Sequence, residues 1–199
     1  MVGGAGRRGR LFVLSGPSGV GKSTVLDRLR SEVPGLWYSV SATTRPRRPG
    51  ETEGVNYHFV TPEQFADLVD RRLLLEHAHF AGHDYGTPRD PVDARLAAGQ
   101  DVLLEIEVQG ARQVRAAPGL GPEAVLIFLA PPSLEELARR LLGRGTEDEA
   151  TRAARLTAAR TELDAEHEFD HTVVNTDVPS AVAGLVQLVV EPRPDPAVG

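Results

Sequence analysis

The string Gly16-Pro17-Ser18-Gly19-Val20-Gly21-Lys22-Ser23 constrains this chain more than any other stretch. It matches G-x-x-x-x-G-K-[ST], a loop that wraps the phosphates of a nucleotide in backbone amides. Glycines let that backbone turn its N–H groups inward around an anion. The loop also dictates its surroundings, because it joins a buried strand to a helix. Both neighbours are legible. Leu11-Phe12-Val13-Leu14 is an apolar run of strand length. Ser23 to Val33 puts Val25, Leu26 and Leu29 on one helical face, ending before Pro34. Of the 22 lysine and arginine residues, Lys22 is the only lysine. A compact ammonium suits a cramped place between phosphates, where a planar guanidinium fits poorly. Ser23 can offer its hydroxyl to a magnesium ion.

Further along, apolar runs recur at Val102-Leu103-Leu104-Glu105-Ile106-Glu107-Val108, Val125-Leu126-Ile127-Phe128-Leu129 and Thr172-Val173-Val174. Helical segments lie between them. Ser133-Leu134-Glu135-Glu136 and Thr146-Glu147-Asp148-Glu149 both carry the capping-box pattern. A last helix runs from about Ser180 to Val190. Strands alternating with helices predict an α/β fold with a parallel sheet covered on both faces. Residues 35–90 differ in texture, holding all three tyrosines, the only tryptophan and four of the six histidines. Strands are expected at Tyr38–Ala42 and Asn56–Val60, and a helix opens at Thr61-Pro62-Glu63-Gln64. This stretch reads as an insertion that holds a substrate. Residues 1–9 and the Pro-rich end from Pro192 read as loose tails.

Two constellations carry chemistry beyond the loop. Glu105 and Glu107 interrupt an apolar strand, where acids are costly unless they serve a site. Residues two apart share a strand face, so both carboxylates are expected to aim one way, one toward magnesium through water and one toward a substrate base. Arg45-Pro46-Arg47-Arg48-Pro49 concentrates guanidinium groups on a stiffened segment suited to a phosphate dianion. Helix-surface pairing with nearby acids accounts for Arg139, Arg152 and Arg160. The histidines at 77, 79 and 83 have no persuasive metal spacing. Cysteine is absent, which excludes disulfides and thiolate chemistry. The chain shows no secretory signal and no apolar run of membrane-spanning length, so cytoplasm is the expected compartment. A net charge of −6 argues against a nucleic-acid partner.

The segments GPSGVGKST, SVSATTRPRRPGE, GVNYHFV, LLEHAHF, YGTPRD, LLEIEVQGA, FLAPPS, RLLGRGTEDE and VVNTD together resemble the guanylate kinase family, in order and spacing, from about Leu11 to Val190. That resemblance implies a three-part P-loop kinase over residues 10–190: a parallel-sheet core (10–34 and 92–190), an inserted GMP-binding module (about 35–91) and a mobile lid (about 143–160). It implies transfer of the ATP γ-phosphoryl group to GMP or dGMP with Mg2+. ATP would lie on Gly16, Pro17, Ser18, Gly19, Val20, Gly21, Lys22, Ser23 and Thr24, with Asn175 near the adenine. The GMP phosphate would meet Ser41, Arg45, Arg48, Tyr57 and Tyr85. The guanine would meet Glu76, Thr87 and an acid of the Glu105/Glu107 pair. Lys22 would lie on the ATP phosphates and Arg144 and Arg155 would meet the transferring phosphate, these three and Arg45 being the catalytic residues implied, and Ser23 would hold the metal. Glu107 stands where the family mostly carries Asp, and Pro46-Arg47 departs from the commoner order of those residues.

Overall fold

The computed structural model describes residues 7–142, 157 and 159–191. Arg144, Arg155 and the helix start expected at Thr146 lie outside the described residues. In chain order the elements are β1 (Leu11–Ser15), α1 (Lys22–Glu32), β2 (Trp37–Tyr38), β3 (Ala42–Thr43), β4 (His58–Phe59) and α2 (Pro62–Asp70). They continue with β5 (Leu74–Phe80), β6 (His83–Pro88), α3 (Arg89–Ala97), β7 (Val102–Glu105) and α4 (Val108–Ala116). Last come β8 (Val125–Ala130), α5 (Leu134–Leu142), β9 (His171–Val174) and α6 (Val178–Val190).

Five strands form one sheet in the order β2-β7-β1-β8-β9, and every pair is parallel. The centre is β1, whose five residues are all buried. Strand periodicity divides its side chains between two cores. Phe12 and Leu14 pack with Leu26 and Leu29 of α1 and with Val182 and Leu185 of α6. Leu11 and Val13 pack with Val92 and Leu96 of α3 and with Ala111 and Val114 of α4. The sheet is therefore covered on both faces, as its continuous apolar runs require. Because β1 neighbours β7 on one side and β8 on the other, connections diverge at its carboxyl end. Such a divergence opens a crevice there.

A second sheet has the order β4-β3-β6-β5. Its hairpin, β5 to β6, turns at Ala81 (φ 50°) and Gly82 (φ 79°), the two left-handed residues of a tight hairpin turn. Phe65 of α2 seals this sheet against Ala42 and Leu74. The start of α2 carries both halves of the capping box: Thr61 Oγ1 accepts from the Gln64 amide, and Gln64 Oε1 from the Thr61 amide. At α5 only one half forms, with the Glu136 amide donating to Ser133 Oγ. The Glu136 carboxylate instead pairs with Arg139 and Arg140.

The single strand expected over Tyr38–Ala42 is two strands in different sheets. The Ser39 amide makes the last bond to the core, on Leu103 O at 3.0 Å. Ser41 O then accepts from the His58 amide at 2.9 Å, in the second sheet. Ser39-Val40-Ser41 thus carries the chain from one sheet to the other. The strand expected over Val102–Val108 ends at Glu105, because Glu107 is already the residue that caps α4. Among the described residues no helix is long and apolar enough to cross a membrane.

Candidate active site

The chain leaving β1 forms the glycine-rich loop and enters α1. Gly21 caps that helix at φ 101°, in the left-handed region that favours glycine. A Cβ there would also lie 2.9 Å from Nδ2 of Asn175. Lys22 folds over the loop, its Nζ donating to Gly16 O at 2.5 Å. Two side chains grip Val20 O from behind: Asn175 Nδ2 donates at 2.7 Å and Arg140 Nη1 at 3.2 Å. Arg140 Nη2 also donates to Asn175 O at 3.1 Å. Asn175 is only 4 % exposed, so its amide braces the loop. Neither bracing contact was legible in the sequence, since β9 and α5 lie far from the loop along the chain.

Glu162 is another residue that sequence reasoning missed. Its Oε2 accepts from the Ser18 amide at 3.0 Å. Burial raises its carboxyl above the ordinary range, while the Ser18 N–H and, more weakly, Lys22 oppose that rise.

A cavity of about 640 Å³ runs from this loop to the second sheet. Ser18, Lys22 and Ser23 line its loop end; Glu105 and Glu107 line the junction of β7 and α4. Ser41, Arg45, Arg48, Tyr57, Glu76 and Tyr85 line the far wall. The fold thus brings together residues that are up to 89 positions apart, from Ser18 to Glu107. Glu105 and Glu107 both reach the cavity, one from a strand end and one from a helix cap. Gly16, Pro17, Gly19, Val20, Gly21, Thr24, Thr87 and Asn175 lie outside the lining. A shallower cleft of about 360 Å³ near Phe169 and His171 contains none of the expected site residues.

The far wall is strongly polar and tightly organised. Arg45 is buried, and its guanidinium binds both oxygens of Glu51, at 2.7 and 3.1 Å. The Glu51 carboxylate also accepts from the Arg48 amide at 2.7 Å, which fixes the turn between the two arginines. Glu51 raises the Arg45 pKa further, so that group stays charged. Arg45 Nη1 also donates to Pro46 O, leaving part of its five N–H complement for a guest. The same guanidinium sits 5.3 Å from the Tyr57 ring centre, and Tyr57 meets Tyr85 edge to face at 6.0 Å. Burial pushes the Tyr57 phenol up to about 12, so it remains a hydrogen-bond donor at neutral pH.

Glu76 is 3 % exposed, and its Oε1 accepts from Thr87 Oγ1 at 2.7 Å. Burial pushes its carboxyl up to about 7, against the opposing Thr87 hydroxyl and helped by the Glu107 charge. Thr87 therefore acts behind Glu76, not on the cavity wall. Glu105 reaches the cavity but is ringed by protein, and this raises its pKa while Lys22 opposes the rise.

Oxygen donors dominate where a metal would sit. Ser23, Glu105 and Glu107 line the same cavity as Ser39, whose buried hydroxyl has no hydrogen-bond partner among the described residues. No group of three or more His, Asp or Glu among the described residues could hold a metal alone. Hard oxygens too few for a closed cage suit Mg2+ that arrives with substrate phosphates.

A family model for guanylate kinase matches residues 8–191. The chain is 60% identical over 180 residues to a guanylate kinase of Frankia casuarinae, covering 90% of this chain and 96% of that one. It is 60% identical over 183 residues to one of Thermobifida fusca, covering 92% of each. A crystal structure of guanylate kinase from Anaplasma phagocytophilum superposes with a TM-score of 0.76 at 33% identity, covering 92% of this chain and 86% of that one. Matched by that family model over residues 8–191 and by full-length relatives at 60% identity, the chain belongs to the guanylate kinase family of nucleoside monophosphate kinases.

Proposed function

We propose that this protein transfers the γ-phosphoryl group of ATP to GMP, and to dGMP, giving ADP and the guanosine diphosphate. One observation carries the reading: a single cavity joins Lys22 and Ser23 of the phosphate loop to a buried carboxylate, Glu76, with Arg45 and two tyrosines beside it. Donor phosphates fit the loop end and an acceptor nucleotide fits the far end.

Guanine presents N–H donors at N1 and at its exocyclic amine. The Glu76 carboxylate can accept both, held in place by Thr87. Adenine lacks that donor pair, so AMP would leave a buried acid unsatisfied, a mismatch worth up to several orders of magnitude in selectivity. Arg45, Arg48, Ser41, Tyr57 and Tyr85 would hold the acceptor phosphate by charge-assisted bonds. Glu51 keeps Arg45 oriented for that task.

The acceptor is already an anion, so the reaction needs no strong base. Catalysis is then positioning and charge neutralisation. Lys22 would neutralise charge on the donor phosphates, and loop amides would cradle them. Asn175 and Arg140 keep the loop in its anion-binding shape. Arg144 and Arg155 would add positive charge at the transferring group. Mg2+, bound through Ser23 with Glu105 or Glu107 acting through water, would supply further neutralisation of phosphate charge.

The test is ADP release with Mg-ATP against GMP, dGMP, AMP, UMP and a ribose bisphosphate. Turnover confined to GMP and dGMP supports the reading. Turnover on AMP or the sugar phosphate at a comparable rate overturns it.

A further inference from the structure

Glu76 is fixed from the core side by α4, the helix that starts directly after Glu107. Gly110 faces it there. A Cβ on Gly110 would lie 2.1 Å from Glu76 Oε2, 2.8 Å from its Cδ and 3.3 Å from its Cγ. The first two are separations that non-bonded atoms essentially never adopt, and the third is tighter than most such contacts. Gly110 is not among the residues with positive φ, so its backbone does not itself require glycine. Inside a helix, glycine costs about 0.5–1 kcal/mol relative to alanine. The carboxylate behind it explains why that cost is tolerated.

Three residues on, and on the same helix face, stands Gln113. Its Nε2 donates to His77 O at 2.5 Å, and its Oε1 accepts from the His77 amide at 3.1 Å. His77 directly follows Glu76 on β5, the edge strand of the second sheet. Among the described residues no strand neighbours the outer side of β5, and the Gln113 amide makes the two bonds a strand would make there. Gly110 thus provides a gap for the carboxylate, and Gln113 clamps the strand that carries it.

We propose that Gly110 and Gln113 are positioning residues for base recognition: together they set where the Glu76 carboxylate lies relative to the acceptor base. This inference rests on the proposed reading of the cavity as a GMP site. A side chain at 110 would displace the carboxylate on the ångström scale, and such misplacement costs up to about a hundredfold.

The experiment compares the full chain with Gly110→Ala, Gln113→Ala, Glu76→Asp and the double variant Gly110→Ala/Glu76→Asp. For each, KM is measured for GMP and for ATP, with the GMP-to-AMP ratio of kcat/KM and the melting temperature. Gly110→Ala should raise the GMP KM about tenfold or more and lower the GMP preference, with the ATP KM within about twofold of the parent. The shorter Asp retracts from the new methyl group, so the double variant should lose less than the product of the two single losses. Gln113→Ala should raise the GMP KM about threefold or more. Purely structural roles would lower the melting temperature without this GMP-specific loss or the Asp rescue. A folded Gly110→Ala with parental GMP KM and selectivity overturns the inference. So does a double variant whose losses multiply. If Gly110→Ala does not fold, Gln113→Ala decides, and an unchanged GMP KM overturns the proposal. A parent chain inert toward GMP would instead overturn the functional reading, and this inference with it.

Discussion

Replacing Glu76 by Gln should make the protein more stable above neutral pH while damaging guanine recognition. Glu76 is buried, and its pKa rises from 4.5 to about 7. At about 1.4 kcal/mol for each pH unit, that rise corresponds to about 3 kcal/mol between the charged and neutral forms. The sign follows from proton linkage. The folded state holds the Glu76 proton more tightly than the unfolded chain does. Stability from this group is complete below about pH 4.5 and is lost as pH climbs through about 7. Glutamine keeps the shape and can accept from Thr87, but it has no charge to desolvate. The two proteins should therefore match at low pH and diverge with rising pH, the variant leading by about 3 kcal/mol at pH 8. Urea unfolding of both, from pH 5 to 8, measures the gap directly. Other titrating groups cancel in the difference. Parallel curves across that range would refute the claim that burial holds this carboxyl neutral. The same titration bears on binding, because only the ionised carboxylate accepts two N–H donors. Guanosine, which lacks the phosphate and its own titration, should bind the parent about tenfold more tightly at pH 8 than at pH 6. The Gln variant should lose that dependence.

Three other perturbations separate the parts of the site. Lys22→Ala should lower kcat by about a thousandfold or more while GMP binding, read by calorimetry, stays near the parental value. Asn175→Ala removes a donor from Val20 O; chemical denaturation should show a loss of about 1–3 kcal/mol, and the ATP KM should rise with the GMP KM unmoved. Tyr57→Phe keeps the aromatic packing but removes the phenol, so steady-state kinetics should show a GMP KM raised about tenfold and an ATP KM unchanged.

Much of this was legible along the chain because it is local. The strand-loop-helix unit around Lys22 is contiguous, and its burial follows from period and composition. Thr61, Pro62 and Gln64 announce α2 by chemistry confined to four residues. The family motifs likewise name most of the cavity's lining. Where expectations missed, the cause was non-local. Nothing in Tyr38–Ala42 reveals that its two halves join different sheets, since both halves read as strand. The hairpin of β5 and β6 was obscured because Glu76 is buried and His77 and His79 are exposed on a strand whose other residues are apolar. Glu51 stood in plain sight, but its grip on Arg45 depends on how the intervening prolines turn.

By itself the sequence determined the class of fold, the phosphate loop and the residue types available to bind a nucleotide, because these depend on short-range spacing and hydrophobic period. Only the tertiary structure decided which of those residues touch. It set Glu162 on the Ser18 amide, Asn175 and Arg140 behind Val20, and Gly110 against Glu76. Those contacts join residues between 34 and 155 positions apart in the chain, and strand pairing and helix packing alone bring them within hydrogen-bonding or van der Waals reach. The Glu76 carboxyl shows the same division. Its identity is written in the sequence, but its elevated pKa comes from the protein that encloses it.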